Sequence, residues 1–226
     1  MEYPRVAVIA PAYNPAQRLL EVISGIAKYV PLTDILVVAD GSSDRTALVA
    51  KDCGAIVPRH AKNLGKGAAL KTGLAFALAQ GYDAVLTIDA DGQHDPRLIP
   101  AFLRAQRETA ADILIGSRTH NRSPMPLDRR CSNALTSLVL SIRAGCRIPD
   151  SQSGFRLMRT WMLRHLPLEN NGYQMESELL IRARTKKAST ASIPTSTLYR
   201  GEQSSIQPLR DTLRFVALVL RSLFWT

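Results

Sequence analysis

The sequence predicts an α/β protein built on one mostly parallel sheet with helices on both faces, and three observations carry that expectation. Short apolar runs rich in β-branched residues alternate with longer segments of helical spacing. Several of the runs end in polar turns, where sheets of this kind bind their ligands. The length, 226 residues with 46% hydrophobic and 21% charged, suits a single core of this class.

The expected strands are Val6–Ala10, Ile35–Ala39, Ala84–Ile88 and Ile113–Ile115. Each is short and apolar throughout, as a strand buried on both faces must be. Between them Leu19–Ile26, Thr46–Lys51, Leu70–Leu78 and Leu98–Leu103 carry helical spacing. After Ser117 the alternation fades into an Arg- and Pro-containing stretch, 118–130, and then an expected helix over Ser132–Ala144. This second half is expected to carry substrate specificity rather than the backbone of the sheet. No repeat, low-complexity tract or Gly/Ser linker divides the chain, so residues 1–226 are expected to form one domain.

Lys and Arg outnumber Asp and Glu by 29 to 19, a formal charge of +10. That balance favours partners bearing phosphate: nucleic acid, sugar nucleotides or anionic lipid headgroups. Cys53, Cys131 and Cys146 are odd in number and form no C-x-x-C pair, so neither a disulfide framework nor a zinc site is indicated and a reducing cytosol fits. The N-terminus runs into an apolar segment too short for a signal-peptide core, and the mature protein is expected to start there. No apolar run reaches the roughly 20 residues that span a bilayer.

The chemistry concentrates where the third expected strand ends, in Asp89-Ala90-Asp91-Gly92-Gln93-His94-Asp95. Side chains at i and i+2 of an extended chain share a side, so Asp89 and Asp91 can hold one ion. Hard carboxylate ligands suit Mg²⁺ or Mn²⁺, which keep positions open for substrate phosphates. An isolated D-x-D is more often a solvated turn; context raises its meaning here. Tyr13, after the first strand, offers a face for a base, Asp40 an acceptor, and the Gly41–Ser43 amides a polar floor. Asp44 reads better as a cap on the helix that follows. Asn63-Leu64-Gly65-Lys66-Gly67 opens a helix with glycines that permit close approach, and Lys66 can reach a phosphate. His94, beside the two aspartates, reads as a solvated histidine before it reads as a ligand.

Together, Pro11-Ala12-Tyr13-Asn14, Val38-Ala39-Asp40-Gly41-Ser42-Ser43-Asp44, Asn63-Leu64-Gly65-Lys66-Gly67 and Asp89-Ala90-Asp91-Gly92-Gln93 resemble the family 2 glycosyltransferases of GT-A fold. Gly116-Ser117-Arg118, Arg129-Arg130 with Asn133, and Asp150-Ser151-Gln152-Ser153-Gly154-Phe155-Arg156 are similar to the branch that glycosylates dolichyl and bacterial polyprenyl phosphates. The resemblance implies that Pro11, Tyr13 and Asp40 hold the donor base and that Asp89, Asp91 and Gln93 hold the metal. It implies that Arg118 and Arg130 engage an acceptor phosphate. Asn14, Ser42, Lys66 and Ala90 complete the candidate donor-binding set. Two positions depart from the pattern: Pro15 stands where an acidic residue is common, and Ala39 replaces the first acidic residue of D-D-G-S. The Q-x-x-R-W signature of processive synthases is missing, so one sugar per reaction is expected.

On this reading about 1–116 form the half that binds the nucleotide-diphosphate sugar, UDP- or GDP-linked. About 117–207 form the acceptor half, and about 208–226 an amphipathic helix. A lipid-phosphate acceptor is already anionic and needs positioning and charge screening, the expected task of Arg118 and Arg130. A hydroxyl acceptor needs a carboxylate base, for which Asp150, Glu176 and Glu178 are the candidates. A single displacement inverts the anomeric carbon. Arg210, Arg214 and Arg221 fall within roughly 40° on a helical projection, with Val216, Leu220 and Leu223 elsewhere and Phe224 and Trp225 at the end. That pattern fits a helix lying in a lipid interface at the cytoplasmic membrane face, and fits almost equally a helix packed on the core. A nucleotidyltransferase lacks its Gly-rich, Arg-containing phosphate loop here. A nucleic-acid-binding module is not expected, since only 6% of residues are aromatic and no basic motif stands out. Retention of both aspartates and both arginines speaks against a non-catalytic sensor.

Overall fold

The computed structural model describes residues 5–118, 127–196 and 208–225. Four strands begin where the apolar runs begin: β1 (Val6–Ala12), β2 (Ile35–Asp40), β4 (Ala84–Thr87) and β5 (Ile113–Ser117). The two-residue β3 (Arg59–His60) follows β2, and β6 (Arg156–Arg159) and β7 (Thr190–Pro194) come from the second half. They form one sheet in the order β3-β2-β1-β4-β6-β5-β7. All pairings are parallel except those of β6, which runs antiparallel to both β4 and β5.

Helices cover both faces because successive strand residues point to opposite sides. Ala7 and Ile9 of β1, with Leu36 and Val38 of β2, face α3 (Lys66–Ala79), α5 (Leu127–Ala144) and α7 (Gln174–Thr185). Val8, Ala10, Ile35 and Val37 face α1 (Ala16–Ile26), α2 (Thr46–Asp52) and α4 (Ile99–Thr109). Gly73 lets α3 lie close on β1, since a Cβ there would stand 2.5 Å from an Ile9 methyl. The short α6 (Thr160–Leu163) and the amphipathic α8 (Pro208–Ser222) complete the set.

The second half therefore does build the sheet's backbone, contrary to expectation. β6 carries arginine at both ends and so lacks an apolar run. Its Arg156 is buried by satisfying the guanidinium with carbonyls: Nε donates to Ser153 O at 2.8 Å, Nη1 to Glu176 O at 2.9 Å and Nη2 to Ser151 O at 2.7 Å. β7 ends in Pro194 and lies at the sheet's edge, where proline costs no ladder bond.

The antiparallel sense of β6 places the site. Thr87 at the end of β4 pairs with Arg156 at the start of β6. The turn preceding β6 is thereby delivered to the same edge at which β1, β2, β4 and β5 end.

Candidate active site

Asp89 leaves β4 at that edge and meets Lys66, at the start of α3, with Nζ to Oδ1 2.7 Å. Lys66 also reaches Glu176 Oε2 at 3.2 Å. The two carboxylates outweigh burial and hold the ammonium well above its usual range. Asp89 is held far below the usual carboxylate range, because Lys66 and then His94 overcome the effect of burial. Asp91 is the opposite case. Burial first, and the charge of Asp89 second, push its carboxyl up, so negative charge at Asp91 lacks full compensation.

That imbalance is what a divalent cation relieves. Among the described residues no group of three or more His, Cys, Asp or Glu is clustered to hold a metal. Two carboxylates with remaining positions for phosphate oxygens and water nevertheless suit Mg²⁺ or Mn²⁺. Gly92, at φ 78°, turns the chain so that Gln93 N donates to Asp91 Oδ1 at 2.9 Å; Gln93 thus shares the turn with both aspartates. His94 is buried rather than solvated, with Nε2 3.4 Å from Asp89 Oδ2 and its ring 5.3 Å from that of Phe155. Among the described residues its buried Nδ1 has no hydrogen-bond partner.

The donor-side candidates divide by task. Tyr13 stands 56% exposed just past β1, open to a base. Asp40 is buried at the end of β2 and serves first as an anchor: Oδ1 pairs with His60 Nδ1 at 2.6 Å and accepts from Leu64 N at 2.9 Å, and Oδ2 accepts from Gly65 N at 2.8 Å. Among the described residues Oδ2 accepts this one hydrogen bond, which leaves it one lone pair. Asn14, in a left-handed conformation at φ 57°, clasps the turns after β1 and β2 together. It donates from N to Ser42 Oγ at 3.1 Å and accepts from Ser43 N at 2.8 Å. Asn14 and Ser42 therefore shape the floor beside Pro11, while Asp44 accepts from Ala16 N and Thr46 N at the starts of α1 and α2. The methyl of Ala90 lies in the core beneath α1, so this residue can meet a donor only through its backbone.

In the second half of the chain Asp150 is fully buried and accepts from Arg118 N at 3.0 Å, Nε at 2.7 Å and Nη2 at 2.7 Å, and from Asn133 Nδ2 at 2.9 Å. With four donors its lone pairs are filled and its carboxyl is held below the usual range, chiefly by Arg118 against the pull of burial. Such a group orients a guanidinium; it is not placed to take a proton. Glu178 is likewise fully buried and bonded to the amides of 169 and 170 and to Arg182. Of the three candidate bases only Glu176, beside Lys66, faces the aspartates. Arg130 is exposed on α5, three residues before Asn133.

The sequence alone assigns no role to Gly154, in the turn before β6. A Cβ on it would lie 2.6 Å from Asp89 Oδ2. The same turn holds Arg118 through Asp150. Four residues of chain span at most about 14 Å, so Asp89 and the Arg118 guanidinium lie at the two ends of one short turn. The signal for Gly154 is the close approach of backbone to carboxylate, which only the fold reveals.

The family model described as glycosyl transferase family 2 matches residues 7–168. The chain is 30% identical over 216 residues to the UDP-N-acetylglucosamine–dolichyl-phosphate N-acetylglucosaminyltransferase of Methanococcus voltae, covering 86% of each. It is 33% identical over 189 residues to the undecaprenyl-phosphate mannosyltransferase of Micrococcus luteus, covering 79% of this chain and 77% of the relative. Glucosyl-3-phosphoglycerate synthase from Mycobacterium tuberculosis in complex with UDP superposes with TM-score 0.78 at 22% identity, over 97% of this chain and 80% of that one. The same enzyme with Mn²⁺, UDP and phosphoglyceric acid gives TM-score 0.70 at 24% identity, over 97% and 77%. At such identity the structural likeness establishes the fold, and the family match establishes the enzyme class. The chain belongs to glycosyl transferase family 2 and is a hexosyltransferase of GT-A fold.

Proposed function

We propose that this enzyme moves one sugar from a nucleoside-diphosphate donor to a polyprenyl-type lipid phosphate, with inversion at the anomeric carbon. One observation carries the reading: a single turn, 150–154, abuts Asp89 at one end and fixes Arg118 at the other, so a diphosphate and an anionic acceptor can face each other across it. Tyr13 and the remaining lone pair of Asp40 receive the base. Lys66 meets the donor's diphosphate. A divalent cation, held by Asp89 and Asp91 with Gln93 on the same turn, would neutralise the departing diphosphate. Arg118, oriented by Asp150, and Arg130 screen the acceptor phosphate, whose oxygen attacks the anomeric carbon without a base.

The outer faces of two helices support a lipid acceptor. Leu135, Leu138 and Ile142 stand exposed on α5 at i, i+3, i+7 spacing, and Leu213, Val216 and Leu220 repeat that spacing on α8. Arg143 Nε donates to Ser222 Oγ at 2.9 Å, joining the two helix ends. On α8 the exposed Arg210, Arg214 and Arg221 border the apolar stripe, the arrangement of a helix lying in an anionic interface. The opposite face of α5 carries Asn133, so the surface and the Arg118 pocket share one helix. No helix among the described residues is long and apolar enough to cross a membrane; the contact we propose is peripheral, at the cytoplasmic face.

A hydroxyl acceptor is the second reading, favoured by the position of Glu176 beside Lys66. Vesicles of phosphatidylglycerol and phosphatidylcholine carrying either polyprenyl phosphate or the free alcohol decide between them. Transfer is expected only to the phosphate, and Leu138→Gln/Ile142→Gln is expected to lower the vesicle-bound fraction about tenfold. Equal transfer to the alcohol would contradict the lipid-phosphate reading.

A further inference from the structure

Phe224 and Trp225 end a segment whose pattern fits a lipid interface and a core packing almost equally. Phe224 is exposed, but Trp225 turns inward against the core, with the guanidinium of Arg182 3.8 Å from its ring centroid. From Arg182 a continuous set of contacts runs to the donor site. Arg182 Nε donates to Glu178 Oε1 at 2.8 Å and its Nη2 to Glu169 Oε1 at 2.8 Å. The buried Glu178 in turn accepts from Glu169 N at 3.1 Å, Asn170 N at 2.9 Å and Asn170 Nδ2 at 2.8 Å, which fixes the start of the 169–173 loop.

That loop forms the seat of α3. Asn171 O accepts from Ala68 N at 3.0 Å. An added Cβ at Gly65 would stand 2.6 Å from Asn171 O, and one at Gly67 2.6 Å from Gly172 O. Lys66, between those glycines, thus has its backbone pinned by residues 171 and 172, while the ring of Tyr173 lies 5.9 Å from its ammonium. A shift of the loop is a shift of Lys66 relative to Asp89.

We propose that Trp225 and Arg182 are positioning residues for donor binding: the segment after α8 closes on Arg182, which holds Glu178 and hence the loop that seats Lys66. α8 is then a structural part of the donor site as well as an outer face of the protein, and by linkage whatever seats α8 strengthens donor binding. The proposal rests on the reading that Lys66 meets a sugar-nucleotide diphosphate.

The test compares Trp225→Leu, which keeps apolar volume but removes the aromatic face, with Trp225→Phe, which keeps it. Calorimetric Kd for the UDP- or GDP-sugar that the wild type binds, in Mn²⁺, is read beside the melting temperature. The leucine variant is expected to bind donor about tenfold more weakly, and the phenylalanine variant to stay within about twofold of wild type. Arg182→Met, which breaks the next link, is expected to weaken binding at least as much as the leucine variant. A merely structural role lowers the melting temperature of folded variants without moving Kd, and that result overturns the proposal. Equal loss in the leucine and phenylalanine variants overturns it too. Wild-type protein that binds no sugar nucleotide sinks the parent reading and this one together, whereas normal donor binding by the leucine variant sinks this one alone.

Discussion

Asp91→Asn is expected to lower sugar transfer about 10³-fold, the few kcal/mol that Lewis-acid stabilisation of a leaving group supplies, while leaving the fold intact. The asparagine is isosteric and can still accept from Gln93 N. What it lacks is the charge that holds a cation. In the metal-free protein that charge is already disfavoured, since burial and the neighbouring Asp89 both push the Asp91 carboxyl up. Removing it relieves repulsion, so the melting temperature without metal is expected to stay level or rise. Loss of activity with retained or increased stability marks a group kept for function. Steady-state transfer over a Mn²⁺ series, with melting curves in EDTA, checks both halves. Metal-stimulated transfer near the wild-type rate would remove Asp91 from the metal site.

Gly154→Ala is expected to lower transfer about 10²-fold through space alone. The Gly154 φ is not in the left-handed region, so alanine meets no left-handed strain at this position. Its methyl, however, would fall 2.6 and 2.8 Å from the two oxygens of Asp89 and 2.9 Å from Cγ. Either the carboxylate or the 150–154 turn must move, and a misplacement near 1 Å in a reacting constellation costs about 10²-fold. The turn is held by Arg156 through Ser151 O and Ser153 O, and Thr87 Oγ1 donates to Gly154 O at 2.8 Å. The carboxylate is therefore the part expected to give. Donor affinity in Mn²⁺ should fall with the rate, and binding of a metal-free nucleoside should not. Unchanged kcat/KM in a folded variant would show that Asp89 has no fixed position to lose.

The first half of the chain was legible because its strands are apolar on both faces and its turns carry the polar residues in chain order. Val6–Ala12, Ile35–Asp40 and Ala84–Thr87 extend or trim the sequence-predicted runs by one or two residues, the usual uncertainty of element ends. The second half hid its structure for physical reasons. Arg156 lies inside a strand, where a charge is tolerated only because three carbonyls receive it. Glu178 and Asp150 resemble possible bases in sequence, but Asp150 takes its donors from Arg118 and Asn133, distant in the chain, and Glu178 takes two backbone amides besides its i,i+4 partner Arg182, which sequence alone does not announce. The sequence pattern leaves Trp225 open to a lipid interface or to the core, and the direction of its ring depends on Arg182, 43 positions earlier. Of the two packings that the α8 pattern allows, the core contact is present through Phe215, Leu218 and Trp225, while Leu213, Val216 and Leu220 stand exposed.

The most direct test of a metal-held donor site at Asp89 and Asp91 is isothermal titration of UDP- and GDP-sugars into the wild type with Mn²⁺, into the wild type with EDTA, and into Asp89→Ala/Asp91→Ala with Mn²⁺. Saturable binding to one base series, abolished by EDTA and by the double substitution, is the predicted result and names the base. Binding indifferent to both, or no binding of any sugar nucleotide by the folded wild type, would contradict the account.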